Sequence, residues 1–198
     1  MQSQNPATLR LPLAPAPLQH TVTGKIFLSI AATGFVAVCA HISLPLVFTP
    51  VPLTLQTFAV ILVGMLLGPV AGFLSLALYL AEGALGLPVF SPHGTGGLPQ
   101  LLGPTAGYLL SYPLAAALAG FTSRATTRIA SRFSSAIMAG TLAIVPIFAL
   151  GAAWLAHLLH IGADAAWNLA VVPFLFGEAI KITAAAGVFS TLQRWRQS

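Results

Sequence analysis

The sequence specifies an all-α membrane protein of six transmembrane helices with both termini cytoplasmic. Of its 198 residues, 57% are hydrophobic and only 6% charged, with a mean hydropathy of +0.92. A soluble domain carries about a quarter charged residues, so this chain has too few charges to cover a surface in water and its solvent is a bilayer. A helix crossing about 30 Å of hydrocarbon needs roughly 20 apolar residues. Six apolar runs of about that size, joined by short connections, fit between Lys25 and Arg194. Threading them places Arg10, Lys25, Arg124, Arg128, Arg132, Arg194 and Arg196 on one side, and the opposite loops hold no Lys or Arg. The positive-inside rule makes that side cytoplasmic. It also accounts for the net charge of +5 through topology, with no nucleic acid partner.

Residues 1–24 are punctuated by Pro6, Pro12, Pro15 and Pro17 and lack the uninterrupted apolar core of a signal peptide. They are expected to form a disordered cytoplasmic tail ahead of one transmembrane domain over 25–198. The spans are expected at 26–44, 53–67, 69–85, 104–121, 134–157 and 173–192. The second and third are short and joined tightly through Gly68-Pro69. Pro146 is expected to kink the fifth, which neighbouring helices tolerate. Between the third and fourth spans lies GLPVFSPHGTGGLPQLLGPTAGYLL (86–110), too rich in glycine and proline for a strand and too uncharged for an ordinary surface loop. An echo links LLGPVAGFL (66–74) to LLGPTAGYL (101–109). It reads either as a trace of inverted repeats or as two helix starts that use proline at the first position. Cys39 is the single cysteine, so no disulfide framework exists.

At 1.5 Å per residue, Lys181 lies about 12 Å inside the external end of the last span, Glu178 about 7–8 Å and Glu82 about 10 Å. Gln56 and Tyr108 fall about one turn in from the outer ends of their spans. Five polar side chains from four helices therefore share a depth in the outer half of the bundle. A lysine near mid-membrane costs on the order of 2.5–3.5 kcal/mol, so Lys181 must face the interior. Glu178, three residues earlier, is on the same helix face. This pair is either a packing element or part of a ligand or ion pathway, which ionisable residues inside spans usually mark. Gln56, Thr54 and Tyr108 either meet a ligand or bond between helices. His93, in the external loop, is within reach of a ligand. His157 and His160 have i, i+3 spacing without a third ligand nearby and read as interface residues, so no metal site is expected.

The chain has no GxxxxGK[ST] stretch to cradle phosphates. With three acidic residues in all, metal-dependent phosphotransfer is excluded. Ser75 and Ser111 have no facing base that would make them nucleophiles. The sequence reads as a non-enzyme without a cofactor.

The stretches FTPVPLTLQTFAVILVGMLLGP, LYLAEGALGLPVF, GGLPQLLGPTAGYLL and VVPFLFGEAIKITAAA, in this order and spacing, resemble the BioY family. These are the substrate-binding (S) components of energy-coupling factor transporters for biotin. The similarity runs from residue 48 to 186. It implies a six-helix S-component fold in a prokaryotic cell (inner) membrane and high-affinity capture of biotin from outside. It also implies coupling to a membrane T component and two cytoplasmic ATPases. The family's last-helix motif of an acid followed three residues later by lysine falls on Glu178 and Lys181, where many relatives have aspartate first. The family's external loop falls on 88–103, where some relatives offer an arginine and this chain offers only His93. Small residues on the family's first span pack on the T component, and Ser29, Thr33 and Ala37 supply that spacing here. Equally, they suit close packing within the chain's own bundle. Biotin carries a ureido group with two N–H donors and a carbonyl, an apolar bicycle and a carboxylate tail. Glu178 and Glu82 can accept the N–H groups, and Lys181 can donate to the carbonyl or the tail. The Gly/Pro-rich segment then reads as an external lid. The alternatives are an S component for another vitamin and a stand-alone secondary transporter driven by protons through Glu82 and Glu178.

Overall fold

The structure, a computed structural model, describes residues 22–127 and 130–195. In chain order it contains α1 (Val22–His41), β1 (Ser43–Leu44), β2 (Leu53–Thr54), α2 (Gln56–Leu67), α3 (Pro69–Ala84), α4 (Gly97–Gln100), α5 (Ala106–Thr126), α6 (Arg132–Leu159), α7 (Ala163–Ala170), a 3-10 turn (Val172–Phe174) and α8 (Leu175–Trp195). Helices α1, α2, α3, α5, α6 and α8 coincide with the six apolar runs. By length and composition, 23–41, 132–159 and 163–195 are long and apolar enough to cross a membrane, while α2 and α3 are apolar but shorter. Helix α1 begins at Val22, inside the last three residues of the expected tail; residues 1–21 lie outside the described residues.

Two features depart from the sequence reading. The first apolar run does not stay helical to Leu44. It stops at His41, because Ser43 and Leu44 pair antiparallel with Thr54 and Leu53, and the Leu55 N–H donates to Ile42 O. The connection before the last helix also holds α7, which lies outside the expected spans, and a 3-10 turn over Val172–Phe174 delays the last helix from the expected Pro173 to Leu175.

The core mixes large side chains such as Tyr79, Ile61 and Leu76 with many small ones. Ala59, Ala115, Ala116, Ala119, Ala139 and Ala185 are fully buried, whereas Phe27, Ile30, Phe121, Val145 and Ile180 point outward. Without a hydrophobic force between helices in lipid, close packing comes from small side chains that let backbones approach. A Cβ on Gly64 would collide with the Ala116 backbone, and one on Gly120 with the backbone of Gly64 and Gly68. Helices α2 and α5 therefore touch almost backbone to backbone. Helix α5 also packs along α6 and α3, α8 lies against α6 and α2, and α1 covers α3 and α2.

The break between α2 and α3 follows from Gly68-Pro69. Gly68 adopts φ 88°, in the region that favours glycine, and its N–H closes α2 on Gly64 O. Pro69 then opens α3 where a missing N–H is harmless. The Arg124 guanidinium occupies the space a Gly68 Cβ would take and donates to Leu67 O at 3.1 Å.

Candidate functional site

Glu178 and Lys181 sit one turn apart near the start of α8, at 4% and 8% exposure. Lys181 Nζ donates to Glu178 Oε1 at 2.6 Å. Thr57, from the first turn of α2, completes a triangle: its hydroxyl donates to the same Oε1 at 2.9 Å and accepts from Lys181 Nζ at 3.1 Å. An ammonium has three donors, so one remains after these bonds. Among the described residues Glu178 Oε2 is buried without a hydrogen-bond partner. A buried carboxylate oxygen without a partner is costly, and here it belongs to a residue that lines a cavity.

That cavity is small, about 40 Å³, and partly open to solvent. Small-molecule sites are larger, roughly 300–1,000 Å³, so a ligand of that class needs the cavity to widen. It lies at the end of the bundle where α2, α5 and α8 begin. Its polar lining is Thr54, Gln56, Thr57, Ser91, Gln100, Thr105, Tyr108, Tyr112, Glu178 and Lys181, and Leu109, Ile147, Phe148 and Phe174 supply apolar wall. Apolar walls with a few convergent polar groups are what such a site requires.

Each polar group is held by its element. Gln56 Nε2 donates to Tyr79 OH at 2.8 Å, and its Oε1 accepts from Thr54 Oγ1 at 3.2 Å. Tyr79, fully buried on α3, passes its own hydroxyl hydrogen to Val89 O at 2.8 Å, linking the cavity wall to the 86–105 segment. Tyr108 OH donates to Ala170 O at 2.7 Å, and its ring fits against Gly151, where a Cβ would collide with it. Trp154 Nε1 donates to Gly103 O at 2.8 Å.

Of the residues expected to bind ligand, Gln56, Tyr108, Glu178 and Lys181 are brought together, with Thr54 beside them. Glu82 and His93 are not. Glu82 is half-buried at the end of α3, accepts from Thr33 Oγ1 at 3.2 Å and does not line the cavity. His93 is exposed on the loop, outside the lining. The α1 stripe residues Ser29, Thr33 and Ala37 do not share one environment. Thr33 is buried against Glu82, and Ala37 packs on the protein's own core. Ser29 lines a groove with Lys25 and Arg124. The stripe serves the bundle at Thr33 and Ala37, because the face that carries them turns toward α3. Sequence reasoning missed Thr57, Tyr79, Ser91, Gln100 and Tyr112. Only Tyr112 had a usable signal, lying one turn after Tyr108 on the same face.

Among the described residues no group of three potential metal ligands occurs. The His157 and His160 rings sit 6.4 Å apart, with Trp154 near His157. Lys25, Arg124, Arg132 and Arg194 lie at the other ends of their helices from the cavity, at the starts of α1 and α6 and the ends of α5 and α8. Arg10, Arg128 and Arg196 fall outside the described residues.

Comparison with known proteins bears on this geometry. The sequence model of the BioY family matches residues 8–198. A probable biotin transporter BioY of Pyrococcus horikoshii is 38% identical over 144 residues, 73% of this chain and 82% of that protein. The biotin transporter BioY of Thermotoga maritima is 36% identical over 162 residues, 82% of this chain and 91% of the relative. That of Rhodobacter capsulatus is 33% identical over 186 residues, 90% and 94%. In three dimensions the chain is similar to the crystal structure, at 2.1 Å, of the S-component for biotin from an ECF-type ABC transporter. The TM-score is 0.77 at 27% identity, covering 86% of this chain and 90% of that one.

Proposed function

The chain belongs to the BioY family, and from that premise we propose that it is the biotin-binding S component of an energy-coupling factor vitamin uptake transporter. It is a binding and transport subunit rather than an enzyme. The observation that carries this reading is the buried Glu178 Oε2, without a partner among the described residues, on a side chain that lines the cavity beside Lys181. A ureido group supplies what that corner lacks. Its N–H donates to Oε2, and its carbonyl accepts the remaining Lys181 hydrogen. The apolar bicycle then lies against Leu109, Phe148 and Phe174.

In this reading all six long helices span a prokaryotic inner membrane, with both termini cytoplasmic and the cavity facing outside. Helices α2 and α3, at 12 and 16 residues, are short for the hydrocarbon core and rely on tight packing within the bundle. The 86–105 segment acts as the external lid. Uptake is completed by a membrane T component and two cytoplasmic ATPases. A proton relay through Glu82 and Glu178 has little support, because Glu82 bonds Thr33 outside the cavity.

Equilibrium binding of labelled biotin to the purified chain tests the function. Saturable binding that other vitamins do not displace is expected. Displacement by another vitamin in preference to biotin would reassign the S component. Topology is tested with a membrane-impermeant thiol reagent on cells. A cysteine at the exposed position His93 should react and one at the exposed position Thr127 should not, while native Cys39 is buried.

A further inference from the structure

The cavity divides its chemistry unevenly. Among the described residues its only lining side chains that carry charge at neutral pH are Glu178 and Lys181, and these are paired at 2.6 Å on α8. The loop end of the cavity presents Ser91 and Gln100, both neutral and both more than nine-tenths buried. His93, the nearby ionisable residue, is exposed and outside the lining.

Ser91 and Gln100 are held in place, yet each keeps hydrogen-bonding capacity unused. Ser91 follows Phe90, whose ring stacks edge-on to Tyr79 at 5.5 Å and fills the space above Gly83 where a Cβ would stand. With Val89 O fixed by Tyr79 OH, this stretch is pinned, and Ser91 Oγ is buried without a partner among the described residues. Gln100 closes the short α4. Its Oε1 accepts the Gly96 N–H at 3.0 Å, which orients the amide and leaves Nε2 with no partner among the described residues. Gly94 makes room for that amide, since a Cβ there would overlap it. A hydroxyl and an amide N–H therefore wait at the loop end, with no cation beside them.

We propose that Ser91 and Gln100 form a neutral tail subsite, which binds the carboxyl end of the ligand by hydrogen bonds alone and accepts its carboxamide nearly as well as its carboxylate. This rests on the biotin reading above, with the ureido head at Glu178 and Lys181. A serine hydroxyl donates to either carbonyl oxygen and also accepts from an amide N–H, and the Gln100 N–H groups donate to either form. Neutral donors bond the carboxylate more strongly than the carboxamide, an advantage offset by the carboxylate's larger desolvation cost, so marked discrimination by charge needs a cation. The loop end offers none.

Competition against labelled biotin on the purified full chain tests this, using biotin, its primary carboxamide and the bicyclic head lacking the tail. The carboxamide should bind within about tenfold of biotin, the scale of one neutral hydrogen bond. Ser91→Ala should weaken both tailed ligands about 3–10-fold and leave the tail-less head within about twofold. Gln100→Glu retains the oxygen that accepts from Gly96 but replaces the donors with negative charge. It should lower biotin binding at least about tenfold and the carboxamide much less, reversing the preference. A parent chain that binds biotin but loses about a hundredfold on the carboxamide overturns the subsite, as does an unchanged preference in Gln100→Glu. Equal effects of Ser91→Ala on tailed and tail-less ligands overturn it as well, making Ser91 a packing residue. A parent chain that binds no biotin overturns the S-component assignment itself, and the subsite with it.

Discussion

Glu178 and Glu82 are the two glutamates of the chain, and counted along their helices they lie at similar depth. The folded protein treats them differently. Glu178 is 4% exposed, held by Lys181 and Thr57, with one oxygen unpaired among the described residues. Glu82 is half-buried and bonded to the Thr33 hydroxyl of α1. Depth is set by position along an axis; environment is set by rotation about it. Helix α3 turns Glu82 toward α1, whereas α8 turns Glu178 toward α2. A carboxylate kept inside a bundle needs a cation or several donors, and only Glu178 has a lysine on its own face.

The widest gap between the two glutamates should open when the pair is broken. Lys181→Met leaves Glu178 buried without its cation, a change that costs about 3–5 kcal/mol in comparable buried pairs. Thermal unfolding in detergent should show a large drop, with loss of biotin binding. The double variant Glu178→Gln/Lys181→Met should regain most of the stability and none of the binding. If the single variant melts and binds like the parent, the pair is neither strained by the loss nor used by ligand.

Glu178→Gln alone should weaken biotin by about tenfold, the value of a charged hydrogen bond near 1.5 kcal/mol, read by equilibrium binding. Next comes Tyr79→Phe, which deletes the hydroxyl joining Gln56 to Val89 O and leaves buried groups unsatisfied at about 1–3 kcal/mol. Its signature is faster hydrogen exchange around residues 89–96 with the helical core unchanged. Protection there that does not change would disconnect the cavity wall from the loop.

The smallest effect belongs to Glu82→Gln. The amide can still accept from Thr33, so stability should move by no more than about 0.5 kcal/mol, as for substitutions away from buried networks. Biotin affinity should stay within about twofold on the same scale. A loss matching that of Glu178→Gln would erase the distinction and return Glu82 to the binding site.

The membrane composition, the helical apolar runs and the placing of Lys25, Arg124, Arg132 and Arg194 at helix ends were legible in the sequence, because they follow from the solvent and from local chain properties. The Glu178–Lys181 pair was legible for the same reason: three residues apart on a helix is one face, whatever the fold. The sequence did not show that Thr57 joins that pair from 121 positions away, or that Tyr79 reaches Val89. It also did not show that Thr33 turns inward to meet Glu82 while His93 stays out. In water, a helix shows its buried face by being apolar on one side only. In a bilayer the lipid-facing and core-facing sides are both apolar, so hydropathy says that a helix spans without saying which way it faces. That rotation is decided by close packing, at contacts such as Gly64 on Ala116 and Gly120 on Gly64, and it exists only once the helices have met.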